Sequence, residues 1–127
     1  MKKRVFIIHG WESDPTEHWF PWLKSELEKH DFEVTVPQMP NADFPKQEEW
    51  LAFMREIIGD EKAKSRCKSF IVINSDNDPY VPIEKGEILC DKLDAKFIIL
   101  HGAGHINEGS GNFELPIVVE ELLKISN

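Results

Sequence analysis

Four short apolar runs alternate with four stretches of helical periodicity along this chain, and that alternation limits the architectures open to it. The strand candidate Arg4 to Ile8 carries a continuous apolar run, Val5 to Ile8, that stops at His9-Gly10, the pattern of a strand covered on both faces. From His18 to His30, Trp19, Trp22, Leu23 and Leu27 recur at helical spacing. Phe32 to Val36 is the next strand, ended by Pro37 and Pro40. A second helix follows Pro45, carries Trp50, Leu51, Phe53, Met54, Ile57 and Ile58 on one broad face, and stops at Gly59. Phe70 to Asn74, Pro82 to Leu93 and Lys96 to Leu100 continue the alternation, and Leu115, Val118, Val119 and Leu122 mark a terminal helix.

An order of βαβαβαβα predicts an α/β domain with a parallel sheet and helices on both faces. The 127 residues, 41% of them apolar, suit a single domain over residues 1–127. In such sheets the working residues lie on loops beyond the carboxyl ends of the strands. Three loops answer that description: His9-Gly10-Trp11, Ser75 to Tyr80, and Gly102 to His105.

Charge narrows the partners. Lys plus Arg total 15 against 23 Asp plus Glu, a net charge of -8, so the chain lacks the basic footprint that nucleic acid or an anionic membrane requires. The basic cluster Lys2 to Arg4 runs into only four apolar residues, Val5 to Ile8, too short for a signal-peptide core or a membrane span. The expected location is the cytoplasm. Cys67 and Cys90 have neither CxxC nor histidine spacing, so two free thiols and no metal site are expected, and nothing in the sequence calls for a cofactor.

Asp76 and Asp78 read singly as turn formers, because short acidic side chains accept bonds from nearby amides. His105 read singly is equally ambiguous. Together they gain meaning: each follows a strand, and acid then histidine is the order used by hydrolases with a strand-turn-helix nucleophile. A histidine takes a proton from a hydroxyl, while a carboxylate fixes its tautomer and stabilises the imidazolium. Gly10 and Trp11, after the first strand, would offer backbone N–H groups to an oxyanion, although a strand-ending turn explains the same residues.

The segments RVFIIHGWESDPTEHWFPWLKSELEKHDFEVTVPQMPN, SDNDPYVP and GAGHINEGSG resemble the retinoblastoma-binding protein 9 and YdeN-like family of small serine hydrolases. The resemblance implies that Asp78 is the acid and His105 the base of a triad, and gives Asp76 no catalytic counterpart. It also implies a departure. Family members carry, between the helix ending here near Ile58 and the segment beginning near Lys62, a nucleophile turn with its flanking strands and helices, on the order of 50 to 60 residues by the size of a βαβ unit.

No residue replaces that nucleophile in pattern. None of the seven serines (13, 25, 65, 69, 75, 110, 126), and neither cysteine, has a glycine two positions before it. Ser110, in a glycine-rich loop five residues after His105, is the one alternative candidate. With the block gone, the inherited architecture becomes a truncated α/β-hydrolase-like three-layer sandwich, a four-stranded parallel sheet of order 2-1-3-4. The expectation is a hydrolase-family protein without its nucleophile. The alternatives are a weak hydrolase of small carboxylic esters and a non-catalytic binding module with Trp11 and Tyr80 at a pocket rim. The ligand class is a small-molecule ester or acyl compound, and the protein is a monomer or homodimer.

Overall fold

A computed structural model describes residues 2–59 and 69–127. Most of the charged connector expected from Asp60 to Ser69, including Ser65 and Cys67, lies outside the described residues. The chain divides into two compact units, residues 1–66 and 67–127.

In the first unit, β1 (Lys3–Phe6) pairs in parallel with β2 (Phe32–Thr35), Lys3 opposite Phe32 and Phe6 opposite Thr35. Between them α1 (Phe20–Lys29) carries Phe20, Leu23 and Leu27 at helical spacing, and all three are buried. Pro21 lies in the first turn, where its missing N–H leaves no helical bond unmade. After the helix, Asp31 takes φ 65° and turns the chain into β2, whose Phe32 and Val34 face inward while Glu33 and Thr35 face out. Ile7 and Met39 complete this core. β1 ends two residues sooner than the apolar run, although the Ile7 amide still donates to the Thr35 carbonyl at 2.9 Å.

α2 (Gln47–Ile58) has Glu48 and Glu49 in its first turn, where acidic groups suit the helix dipole, and ends at Gly59 with φ 97°. Its broad apolar face contains no fully buried residue. Trp19, Trp22 and Trp50, expected in the core from their spacing, are half-buried.

In the second unit, β3 (Ile71–Ser75) pairs in parallel with β4 (Lys96–Leu100), Ile71 opposite Lys96 and Ser75 opposite Leu100. The crossover between them is α3 (Ile83–Leu93), which starts after the extended Pro82 and ends at a left-handed Asp94. At Gly86 the helix lies close against side chains of the sheet: a Cβ there would lie 2.2 Å from Asn74 Oδ1 and 3.0 Å from the Phe97 ring. A short 3-10 turn at Glu108–Ser110 precedes α4 (Pro116–Ser126). On α4, buried Glu121 receives Lys96 of β4 at 2.8 Å and Lys124 at 2.7 Å, so its charge is paired from two sides.

Among the described residues the ladders are β1 with β2 and β3 with β4. These are the two halves of the expected order 2-1-3-4, and its central β1–β3 pairing is not among them. No helix among the described residues is long and apolar enough to cross a membrane.

Candidate active site

The second unit brings two loops together at the carboxyl ends of β3 and β4. The parallel register continues one step beyond the strands, with the Asp76 amide donating to the Leu100 carbonyl at 3.0 Å. Three consecutive side chains from the first loop then reach across to the second. Asp76 Oδ1 accepts from the Gly102 amide at 2.9 Å and its Oδ2 lies 2.7 Å from His101 Nδ1. Asn77 Oδ1 accepts from the Gly104 amide at 2.8 Å. Asp78 meets His105, with Nδ1 2.9 Å from Oδ2 and 3.1 Å from Oδ1.

Asp78 is held from its own side as well. Its Oδ1 accepts from the Tyr80 amide at 2.8 Å and the Val81 amide at 3.1 Å, the local closure that makes aspartate a turn former. The side chain is only 7% exposed, against 41% for His105. Burial raises the energy of the carboxylate, but the bonds from the Tyr80 amide, His105 and the Val81 amide outweigh it, and the Asp78 carboxyl is held below its ordinary pKa. An ionised acceptor against Nδ1 keeps the ring proton on that nitrogen and leaves Nε2 as the atom that can take another. The Tyr80 ring stands edge-on to the His105 ring, centroids 5.0 Å apart.

Asp76 and His101 form a second acid-histidine contact beside the first. It is far more open, with side-chain exposures of 42% and 85%. The Gly102 amide, then His101, lower the Asp76 carboxyl pKa. Sequence reading gave His101 no role. The observed β3–β4 register explains it: residues 25 apart stand opposite one another, as Ile71 and Lys96 do, and 76 and 101 keep that interval, which residue identity alone does not reveal.

Ser110 does not stand as a free hydroxyl, because its Oγ accepts from the backbone amide of His105 at 3.1 Å. In the first unit, the loop after β1 turns on a buried histidine: His9 accepts at Nε2 from the Met39 amide at 2.9 Å, and its Nδ1 lies 2.9 Å from the Gly10 carbonyl. Gly10 is exposed. Trp11, 67% exposed, is fixed by its indole N–H donating to the Asp43 carbonyl at 2.8 Å. Asp78 and His105 thus share one unit and touch, while Gly10 and Trp11 belong to the other. Among the described residues no group of three or more His, Cys, Asp and Glu side chains is arranged to hold a metal ion.

A sequence profile described as serine hydrolase matches residues 5–67 and 60–124. The YdeN protein of Bacillus subtilis (strain 168) is 45% identical over 181 residues, an alignment covering 96% of this chain and 95% of that protein. The crystal structure of the ydeN gene product from B. subtilis superposes with a TM-score of 0.87 at 24% identity, covering 99% of this chain and 100% of the other. A YdeN-like protein from Pectobacterium atrosepticum superposes at 0.67 with 15% identity, over 96% and 89% of the two chains. The superpositions carry the α/β fold, and the sequence matches carry the kinship.

Proposed function

Because the chain belongs to the serine hydrolase family, we propose that Asp78 and His105 are the acid and base of its triad and that the chain lacks the nucleophile they serve. The observation that carries the reading is the 2.9 Å contact between Asp78 Oδ2 and His105 Nδ1, the geometry in which a carboxylate orients an imidazole for proton transfer at Nε2. Gly10 and Trp11 are the backbone donors assigned to the oxyanion, and the substrate class is a small ester or acyl compound.

Two observations support loss of a central block. The YdeN alignment extends over 181 residues although this chain has 127, so more than fifty of its positions have no residue here. The family profile matches in two pieces that meet at residues 60–67, where the sequence resemblance also breaks. The finer placement beside retinoblastoma-binding protein 9, a single shortened domain over residues 1–127 and the sheet order 2-1-3-4 belong to the same proposal. Backbone NOEs between residues 4–8 and 70–74 of one chain test that order, and their absence rejects it.

An acid and a histidine without a held nucleophile supply part of a catalytic unit that works as a whole. The expected result is therefore no fluorophosphonate labelling above a denatured control, and p-nitrophenyl acetate turnover no faster than that of His105→Ala. Stoichiometric labelling of any serine overturns the inactive reading. The aligned pair favours one competitor, a weak hydrolase in which His105 deprotonates water, and ester turnover lost in His105→Ala without probe labelling would establish it.

A further inference from the structure

The contact between Asp78 and His105 has to be set by something other than itself. His105 is 41% exposed at its side chain, and a single polar contact to a half-exposed side chain gains too little to fix two loops. The backbone leading into His105 is gripped instead. The Gly104 amide donates to Asn77 Oδ1 at 2.8 Å, and the next amide, of His105 itself, donates to Ser110 Oγ at 3.1 Å.

Each grip is anchored behind. Asn77 Oδ1 also accepts from the hydroxyl of Ser75 at 2.8 Å, and Ser75 is 1% exposed at the end of β3. An amide N–H is only a donor, so the atom of Asn77 that faces Gly104 is its oxygen. A neutral acceptor suits the position, since Asp76 and Asp78 flank it and a third carboxylate would add like charge. Ser110 is tied down by its own amide, which donates to Asn107 Oδ1 at 2.9 Å, and Asn112 closes the loop on the Ala103 carbonyl at 2.8 Å. Gly104 fits because it has no side chain: its φ is 61° and a Cβ would come within 2.5 Å of Ser110 Oγ.

We propose that Asn77 and Ser110 are positioning residues that hold two successive amides and so set His105 against Asp78. The proposal rests on the reading of Asp78 and His105 as acid and base. It assigns the Ser110 hydroxyl to the alignment of the histidine, not to attack on a substrate, and gives Asn77 the task of relaying the fixed end of β3 to the histidine loop.

The test uses NMR of the full chain and needs no activity, so its failure is separable from failure of the hydrolase reading. Two quantities are read: the NOE between the Tyr80 and His105 rings, and the pH titration of the Asp78 carboxyl carbon. In Asn77→Ala and in Ser110→Ala the NOE is expected to be lost and the Asp78 midpoint to rise toward the ordinary carboxylate value, as the His105 bond loosens. Asn77→Asp, which keeps the acceptor oxygen, is expected to retain the NOE. A Val119→Ala variant, destabilised at α4, controls for stability loss alone and should change neither reading. Unchanged NOE and titration in both alanine variants overturn the proposal, and if one of them does not fold the other decides it. Loss of the NOE in Val119→Ala as well also overturns it.

Discussion

The Met39 amide donates to Nε2 of His9 at 2.9 Å, which places the remaining ring proton on Nδ1, facing the Gly10 carbonyl 2.9 Å away. His9 is 2% exposed, and the Trp50 ring stands edge-on to it at 5.8 Å. It joins the loop after β1 to the segment after β2. Replacing His9 by alanine strands a buried amide and opens a cavity, a combined loss of about 2–4 kcal/mol. Urea unfolding followed by tryptophan fluorescence should show the loss, and a midpoint equal to wild type would rule out this structural role.

Acid should destabilise the protein in one direction and over one pH range. Asp78 is depressed against the pull of burial by the Tyr80 amide, His105 and the Val81 amide; Asp76 by the Gly102 amide and then His101; Glu121 by Lys124 and then Lys96. A carboxyl whose folded pKa lies below its unfolded value adds stability above the unfolded value, and that stability disappears as pH falls through the folded one. The urea midpoint is expected to be insensitive to these groups from pH 7 down to about 5 and to fall progressively below that, where free carboxyls begin to bind protons. Asp78→Asn should weaken that acid dependence. An acid limb as steep as wild type in that variant would contradict the assignment.

Gly104→Ala combines two penalties. An L side chain is strained at φ 61°, and its Cβ would lie 2.5 Å from Ser110 Oγ. Together these should cost about 1–3 kcal/mol, with displacement of the histidine loop as the visible sign. Thermal unfolding and the His105 ring resonances give the two readings. Gly111→Ala, with φ 82° but nothing within 4 Å of the added Cβ, should show the strain without the displacement.

Cys90 should be inert in the folded protein. It is buried on α3, and burial followed by the neighbouring Asp91 charge raises its thiol pKa, which lowers the fraction of reactive thiolate. Iodoacetamide under native conditions, mapped by mass spectrometry, should leave Cys90 unmodified until urea is added. Native modification at a rate close to the unfolded one would refute this.

The element pattern was legible because each strand and helix carries its own local signal. β4 has the predicted limits, Lys96–Leu100, and α3 starts one residue after Pro82. β1 runs from Lys3 to Phe6 where the apolar pattern points to Arg4–Ile8, because an apolar run marks where a strand is covered, whereas the ladder with β2 stops at Thr35, shortly before Pro37. The family and the place of Asp78 and His105 on neighbouring loops were also open to sequence reading. His101, Asn77 and the structural use of Ser110 were not, since each depends on cross-strand register or on a backbone amide as partner. Neither leaves a mark in residue identity alone. α2 is the converse case: its helical periodicity was plain, yet no residue on its apolar face is fully buried, because periodicity names a face and does not say how closely that face is covered.

The groups that align Asp78 with His105 all come from one β3–α3–β4 segment and the turn that follows it, residues 71–112. Within that segment nothing in the alignment calls on a serine that would attack a substrate. Asp78 and His105 are thus set against each other by groups that their own segment supplies, and their orientation is a property of that segment.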